Sequence, residues 1–253
     1  MTLLDATEKL RRDRSLIEAL IDDPSRLGPD FQPIKALGTD EVVGWKATGS
    51  GQAGTELDST LALLHSAQAI GLVERLDWAF RVLALEAFQA GGLEAEMYIT
   101  PEPETYTSPC PPRLAAAFAR GRRAVKVVAE VPADSVVAGG SLGEAVLEFR
   151  GWGWRIVAGD LADEVAADAK VLDTLDRLRP DIVKLELGRL GRSPAGTSAG
   201  VRELLRWATG AGVEVMAIGV DTPELRQAAM DLGAVTGRGR LLGPPGRLPD
   251  RTE

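Results

Sequence analysis

From residue 95 to residue 240 one unit repeats: a short apolar run, a loop, then an amphipathic stretch. The runs are AEMYIT (95–100), AVKVVAEV (124–131), WRIVAGD (154–160), DIVKLEL (181–187) and VEVMAIGV (213–220), with a last short one near Ala234. Helical periodicity follows them over 112–120, 141–150, 163–178, 197–211 and 222–232. Apolar runs this continuous fit parallel strands covered on both faces. Ahead of them, FQPIKAL (31–37) and a second strand over 41–47 flank a Gly-Thr-Asp turn, and two helices are expected over 57–70 and 74–90. Seven or eight such units in 253 residues predict one closed (β/α)8 barrel rather than a doubly wound sheet. Residues 2–22 read as a helix ended by Pro24, Gly28 and Pro29. The expected division is an N-terminal helix and linker over 1–26, a barrel over 27–246 and a solvated tail over 247–253.

Composition excludes several classes. The net charge of −8 argues against nucleic acid and anionic membranes as partners. A single cysteine, Cys110, allows no internal disulfide and no thiolate cluster. A single histidine, His65, lies in a helical stretch, where a surface or packing role is expected. No run of 18 apolar residues is present, and the N-terminus has no signal-peptide pattern, so a cytoplasmic location is expected.

In a barrel of this kind chemistry gathers where strands hand over to the following loops. That rule selects Lys46, Tyr98, Thr100, Glu130, Gly159, Asp160, Lys184, Glu186, Ile218 and Arg238. Glu130, Asp160, Lys184 and Glu186 come from separate units or alternate positions and are expected to share one polar cleft. Lys46, in GWKATGSG (44–51), places an ammonium beside them.

An ordered series of motifs resembles the EAL domain family, the cyclic-di-GMP phosphodiesterases. FQPIKAL and VVG precede Lys46, Ala47 and Thr48, which stand where that family has Glu-Ala-Leu. AQAIGLVERLDWAF (67–80), MYITP (97–101), VAEVPAD (128–134), RIVAGDLA (155–162), DIVKLE (181–186), VMAIGVDT (215–222) and RGRLLGPP (238–245) follow in the family's order. The resemblance covers roughly residues 15–246 and implies a TIM-like barrel of the EAL type.

The family's chemistry needs oxygen ligands for two divalent metals, which activate water for in-line displacement at phosphorus. Carried across residue by residue, Glu130, Asp160 and Lys184 are retained. Lys46 replaces the motif Glu, Tyr98 an Asn ligand, Gly159 the first Asp of a pair, Ile218 a Glu and Arg238 a Gln. A cation beside few carboxylates repels a metal rather than holding it. The resemblance therefore implies a degenerate site with no metal and no cofactor, its vestige formed by Lys46, Glu130, Asp160, Lys184, Glu186 and Arg238. Lys46 is expected to stand in for the metal, its amine within about 4 Å of Glu130 or Asp160.

Nucleotide binding without catalysis is the alternative. Gln32 resembles a guanine-contacting Gln, and Arg238 and Arg240 offer cations to a phosphate. Against it, Ser50 stands where a phosphate-pairing Arg is expected, and ADEVAADAK (162–170) replaces a Gly-rich loop with an acidic one. The reading that follows is a regulator acting through contact with an unidentified protein partner in cyclic-di-GMP-type signalling, binding cyclic-di-GMP weakly or not at all and open to homodimerisation. Three further features have plainer readings. Trp152 and Trp154 are expected to cover a barrel end rather than stack a base. Cys110 lies on a loop with nothing to activate it. Arg120, Arg122 and Arg123 suit a helix C-terminus.

Overall fold

The computed structural model describes residues 3–51, 54–138, 140–159, 161, 168, 170–189 and 198–249. Its eight strands close a barrel in chain order. They are β1 (Gly28–Ala36), β2 (Val42–Ser50), β3 (Glu96–Ile99), β4 (Val127–Val131), β5 (Arg155–Ala158), β6 (Ile182–Glu186), β7 (Glu214–Ile218) and β8 (Thr236–Arg238). The described helices are α1 (Leu3–Asp22), α2 (Thr60–Ile70), α3 (Val73–Gly91), α4 (Pro112–Ala124), α5 (Ala133–Ala138), α6 (Leu142–Gly151), α7 (Lys170–Leu178), α8 (Ala199–Ala211) and α9 (Pro223–Asp231).

The barrel is parallel from β2 to β8, but β1 runs antiparallel to both of its neighbours. The reason is the short link between β1 and β2. A parallel pair needs a crossover of a dozen residues or more, and five residues allow only a hairpin. Asp40 turns that hairpin at φ 64°, and its carboxylate accepts from Lys35 at 2.9 Å.

Local chemistry sets the helix ends. The hydroxyls of Ser59, Ser198 and Thr222 accept from the backbone N–H three residues on, which caps α2, α8 and α9. Gly71 closes α2 in the left-handed conformation at φ 69°. Two departures from the sequence reading stand out. The short helix α5 falls where only a loop is expected. The strand expected from 124 starts at Val127, because α4 runs on to Ala124 with Arg122 and Arg123 in its last turn. Of the helix expected over 163–178, the residues before Lys170, apart from Asp168, lie outside the described residues.

Three apolar clusters hold the fold. Ile34, Tyr98, Val128, Val157, Ile182, Met216 and Ile218 fill the inside of the barrel. A larger layer packs the outer faces of the strands against the helices, and Leu248 joins it beyond the last strand. The third cluster ties α1 to α2 and α3 through residues such as Ile17, Ile21, Leu63 and Leu76. Trp152 and Trp154 belong to the outer layer, edge-to-face at 4.9 Å, with Phe118 and Phe149 against them. His65 is exposed on α2.

Candidate functional site

The site is built from positions that alternate inward along β2, β3, β4 and β6. Lys46 pairs in register with Gln32 of β1 and Tyr98 of β3, which directs its amine into the barrel mouth. There Lys46 Nζ lies 3.0 Å from Glu130 Oε2, so the expected ion pair is present. Both side chains are buried. Lys184 Nζ reaches the same oxygen at 3.3 Å. Thr100 completes the group: its Oγ1 accepts from Lys46 and donates to Glu130 Oε2 at 3.0 Å. Glu130 Oε1 has no hydrogen-bond partner among the described residues. One carboxylate thus carries two ammoniums and a hydroxyl on a single oxygen.

Burial decides the electrostatics. It is the largest influence on Lys46, whose pKa falls from 10.5 to about 8; Glu130 offsets part of the fall, while Lys184 and Arg238 deepen it. Burial also pushes Glu130 up, but Lys46, Lys184 and Arg238 together overcome it and hold the carboxyl well below its usual range. The three cations around it favour the ionised form of the Glu130 carboxyl.

The remaining sequence-derived positions sort clearly. Tyr98 does not face the cluster: its ring fills the barrel and its hydroxyl donates to Glu96 Oε2 at 3.2 Å, toward the opposite end. Burial first, then the Glu96 carboxylate, raises its pKa above the ordinary value. Ile218 is packed in the same interior cluster. Gly159 sits where a side chain has no room, since a Cβ would stand 2.6 Å from the backbone N of Ala133 and 3.1 Å from Val131 O. Its own N–H donates to Val131 O at 2.7 Å. The backbone that passes from β4 into α5, Val131 to Ala133, is therefore what excludes a side chain at 159.

Arg238 Nη1 donates to Gln32 Oε1 at 3.1 Å, and Gln32 Nε2 donates to Gly243 O at 3.1 Å. Both ends of the Gln32 amide are thus engaged within the protein. Arg240 is largely exposed and pairs with Asp221 at 3.0 Å, apart from the cluster. Glu186 lies half-buried at the end of β6. Asp160, and residues 162–167 and 169 of the acidic loop, lie outside the described residues. Burial raises the pKa of the Cys110 thiol, which fits an unactivated side chain.

Sequence reasoning gave Thr100 no role, although it stands two residues after Tyr98 at a strand end. Glu102 and Asp77 were missed altogether. With Lys46 they line a cavity of about 260 Å³ behind the end of β2. Burial, then Asp77 and Glu104, pushes the Glu102 carboxyl from 4.5 to about 7, with Lys46 opposing. Asp77 itself is held by Arg81 and Thr105, and Arg81 lies 4.2 Å over the Trp78 ring.

Among the described residues no three His, Cys, Asp or Glu side chains come together as a metal-binding group. Among the described residues, Glu130 Oε2 is ion-paired with two ammoniums, and their positive charge opposes a divalent cation beside that oxygen. No described helix is long and apolar enough to cross a membrane.

The EAL domain family model matches residues 13–245. No curated protein matches the sequence. Among solved structures, the FimX EAL domain of Xanthomonas citri in complex with c-diGMP has a TM-score of 0.79 at 16% identity, covering 96% of this chain and 97% of that one. The FimX EAL domain of Pseudomonas aeruginosa bound to c-di-GMP gives 0.76 at 12%, covering 93% and 97%. The EAL enzyme Bd1971, in its cAMP and cyclic-di-GMP bound form, gives 0.75 at 16%, covering 95% and 67%. At these identities the structural likeness speaks for the fold alone.

Proposed function

This chain belongs to the EAL domain family, and on that premise we propose that it is a noncatalytic member, a regulator acting through protein contact in cyclic-di-GMP-type signalling. The observation that carries this reading is the pairing of Glu130 Oε2 with Lys46 at 3.0 Å and Lys184 at 3.3 Å. In-line hydrolysis of a phosphodiester in this family runs on metal-activated water, and metal binding needs free, ionised oxygen donors. Here an ammonium holds the retained carboxylate, Tyr98 and Ile218 serve the apolar interior, and Gly159 has no room for a carboxylate. Lys46 supplies from within the chain the positive charge that a metal would bring from solution.

A second reading is a noncatalytic cyclic-di-GMP receptor. It is favoured by the fold neighbours solved with that nucleotide and by the exposed Arg240. It is disfavoured by Gln32, whose amide is spent on Arg238 and Gly243, and by Ser50, whose hydroxyl donates to Gly28 O at 2.9 Å.

The test is incubation of purified protein with cyclic-di-GMP and Mg²⁺ or Mn²⁺, followed by chromatography. Linear dinucleotide should not rise above the buffer background. Steady turnover that Glu130→Ala abolishes would overturn the reading. Calorimetry in parallel separates regulator from receptor: a dissociation constant below about 1 μM would favour the receptor.

A further inference from the structure

We propose that the cavity behind the end of β2 binds a small zwitterion with an apolar body, a free hydrophobic amino acid by class, with its carboxylate on Lys46 and its ammonium on Glu102. The cavity lies at the seam between β2 and the cluster that joins α2 to α3. Its volume is about 260 Å³, the scale of a single small metabolite. Leu27, Leu63, Leu64, Leu76 and Phe80 make its apolar walls. The polar groups come from three elements: Lys46 from the strand β2, Glu102 from the loop after β3 and Asp77 from α3.

Each polar group has something left to offer. An ammonium has three donors. Lys46 gives one to Thr100 and one to Glu130, and has no further partner among the described residues. The Glu102 carboxyl is half-buried and makes no hydrogen bond or ion pair with any described residue, although its backbone carbonyl accepts from Thr105. A carboxyl partly shielded from water and without a protein partner is open to a complementary ligand group. Asp77 also lines the cavity. Its Oδ2 is committed to Arg81 and Thr105, and its charge adds to the attraction for an ammonium. One cavity lined by an ammonium, two carboxyl groups and leucine side chains offers partners to a carboxylate, an ammonium and an aliphatic side chain.

The acceptor side makes binding pH-dependent. The charged groups acting on Glu102 are Asp77 from α3, Glu104 from its own loop and Lys46 from β2. With its pKa near 7, Glu102 presents a full negative charge only above that pH, so affinity rises from pH 6 to pH 7.5. The proposal does not depend on the absence of catalysis: turnover of cyclic-di-GMP would overturn the previous reading and leave this one standing.

The experiment is calorimetric titration of the whole chain with L-leucine, 3-methylbutylamine and 4-methylpentanoate at pH 6 and 7.5. Leucine should bind saturably at one site, each monofunctional probe at least tenfold more weakly, and leucine more tightly at pH 7.5. Glu102→Gln should weaken leucine at least tenfold and remove the pH difference. Leu64→Trp, which fills the cavity from its apolar side, should abolish binding while circular dichroism stays native. Three outcomes would overturn the proposal: no saturable heat with any probe, leucine bound no better than the amine, or leucine binding unchanged in both folded variants.

Discussion

Where the strands begin, Arg155 is shared by Glu96 at 3.1 Å and Glu214 at 2.8 Å; where they finish, Glu130 is shared by Lys46 at 3.0 Å and Lys184 at 3.3 Å. The two clusters are mirror images in charge: one cation between two carboxylates, one carboxylate between two cations. They differ in medium. The Arg155 side chain is 33% exposed, whereas those of Lys46 and Glu130 are 7% and 3% exposed. Water screens the first cluster, so its pairs are worth little individually. The second is dry, so its members have no other solvent, and removing one strands another. Tyr98 separates the two, its ring in the interior and its hydroxyl on Glu96.

The largest expected effect breaks the dry cluster outright. Lys46→Glu puts a second carboxylate beside Glu130 in a buried site, and it should cost about 3–5 kcal/mol or prevent folding, read by urea unfolding. Next comes Gly159→Asp, the change that would restore a family ligand position. Backbone of Val131 and Ala133 blocks a side chain there, so it should destabilise by about 1–3 kcal/mol. A variant of unchanged stability would show that the backbone from Val131 to Ala133 yields easily.

A matched pair then sharpens the contrast. Lys46→Met should cost about 1–3 kcal/mol, limited because Lys184 still holds Glu130. Arg155→Met, at the wet end, should cost no more than about 1 kcal/mol, and its effect should shrink with salt. Equal costs would remove the distinction between the two media.

The smallest effect is a pH dependence at the dry end. The folded pKa of Glu102 lies above its ordinary value of 4.5, at about 7. Between those values the folded chain holds a proton that the unfolded chain has lost, so this group's contribution to stability declines as pH rises from 4.5 to 7. Melting curves of Glu102→Gln should lack that part of the decline. A parallel profile for both proteins would count against it.

The barrel was legible because its signal is periodic. Continuous apolar runs and amphipathic stretches of the right length recur often enough to fix both element type and closure. The direction of β1 lay in the length of one link. Helix α5 carried no such signal, being six residues over which periodicity cannot assert itself. At the site, the meeting of Lys46 with Glu130 could be expected, because strand alternation and the family motif both place them inward. Thr100 was visible by position but not by role, since a hydroxyl acquires one only through its neighbours. Glu102 and Asp77 lie in a loop and on a helix, and they share a cavity with Lys46 through the pairing of β3 with β2 and the packing of α3 on the loop after β3, which no local pattern encodes. The downward turn of Tyr98 likewise follows from a partner, Glu96, that lies two residues away at the other end of the barrel.

The claim that Lys46 stands in place of a metal is tested most directly by thermal unfolding of the unmodified protein in chelator and in millimolar Mn²⁺, with Lys46→Glu alongside. A ligand that binds only the folded state raises stability by about 2.7 kcal/mol at a hundred times its dissociation constant. The account expects an unmoved melting temperature for the unmodified protein and a partial Mn²⁺-dependent recovery for Lys46→Glu. A concentration-dependent rise in the unmodified protein, lost on Glu130→Ala, would contradict it.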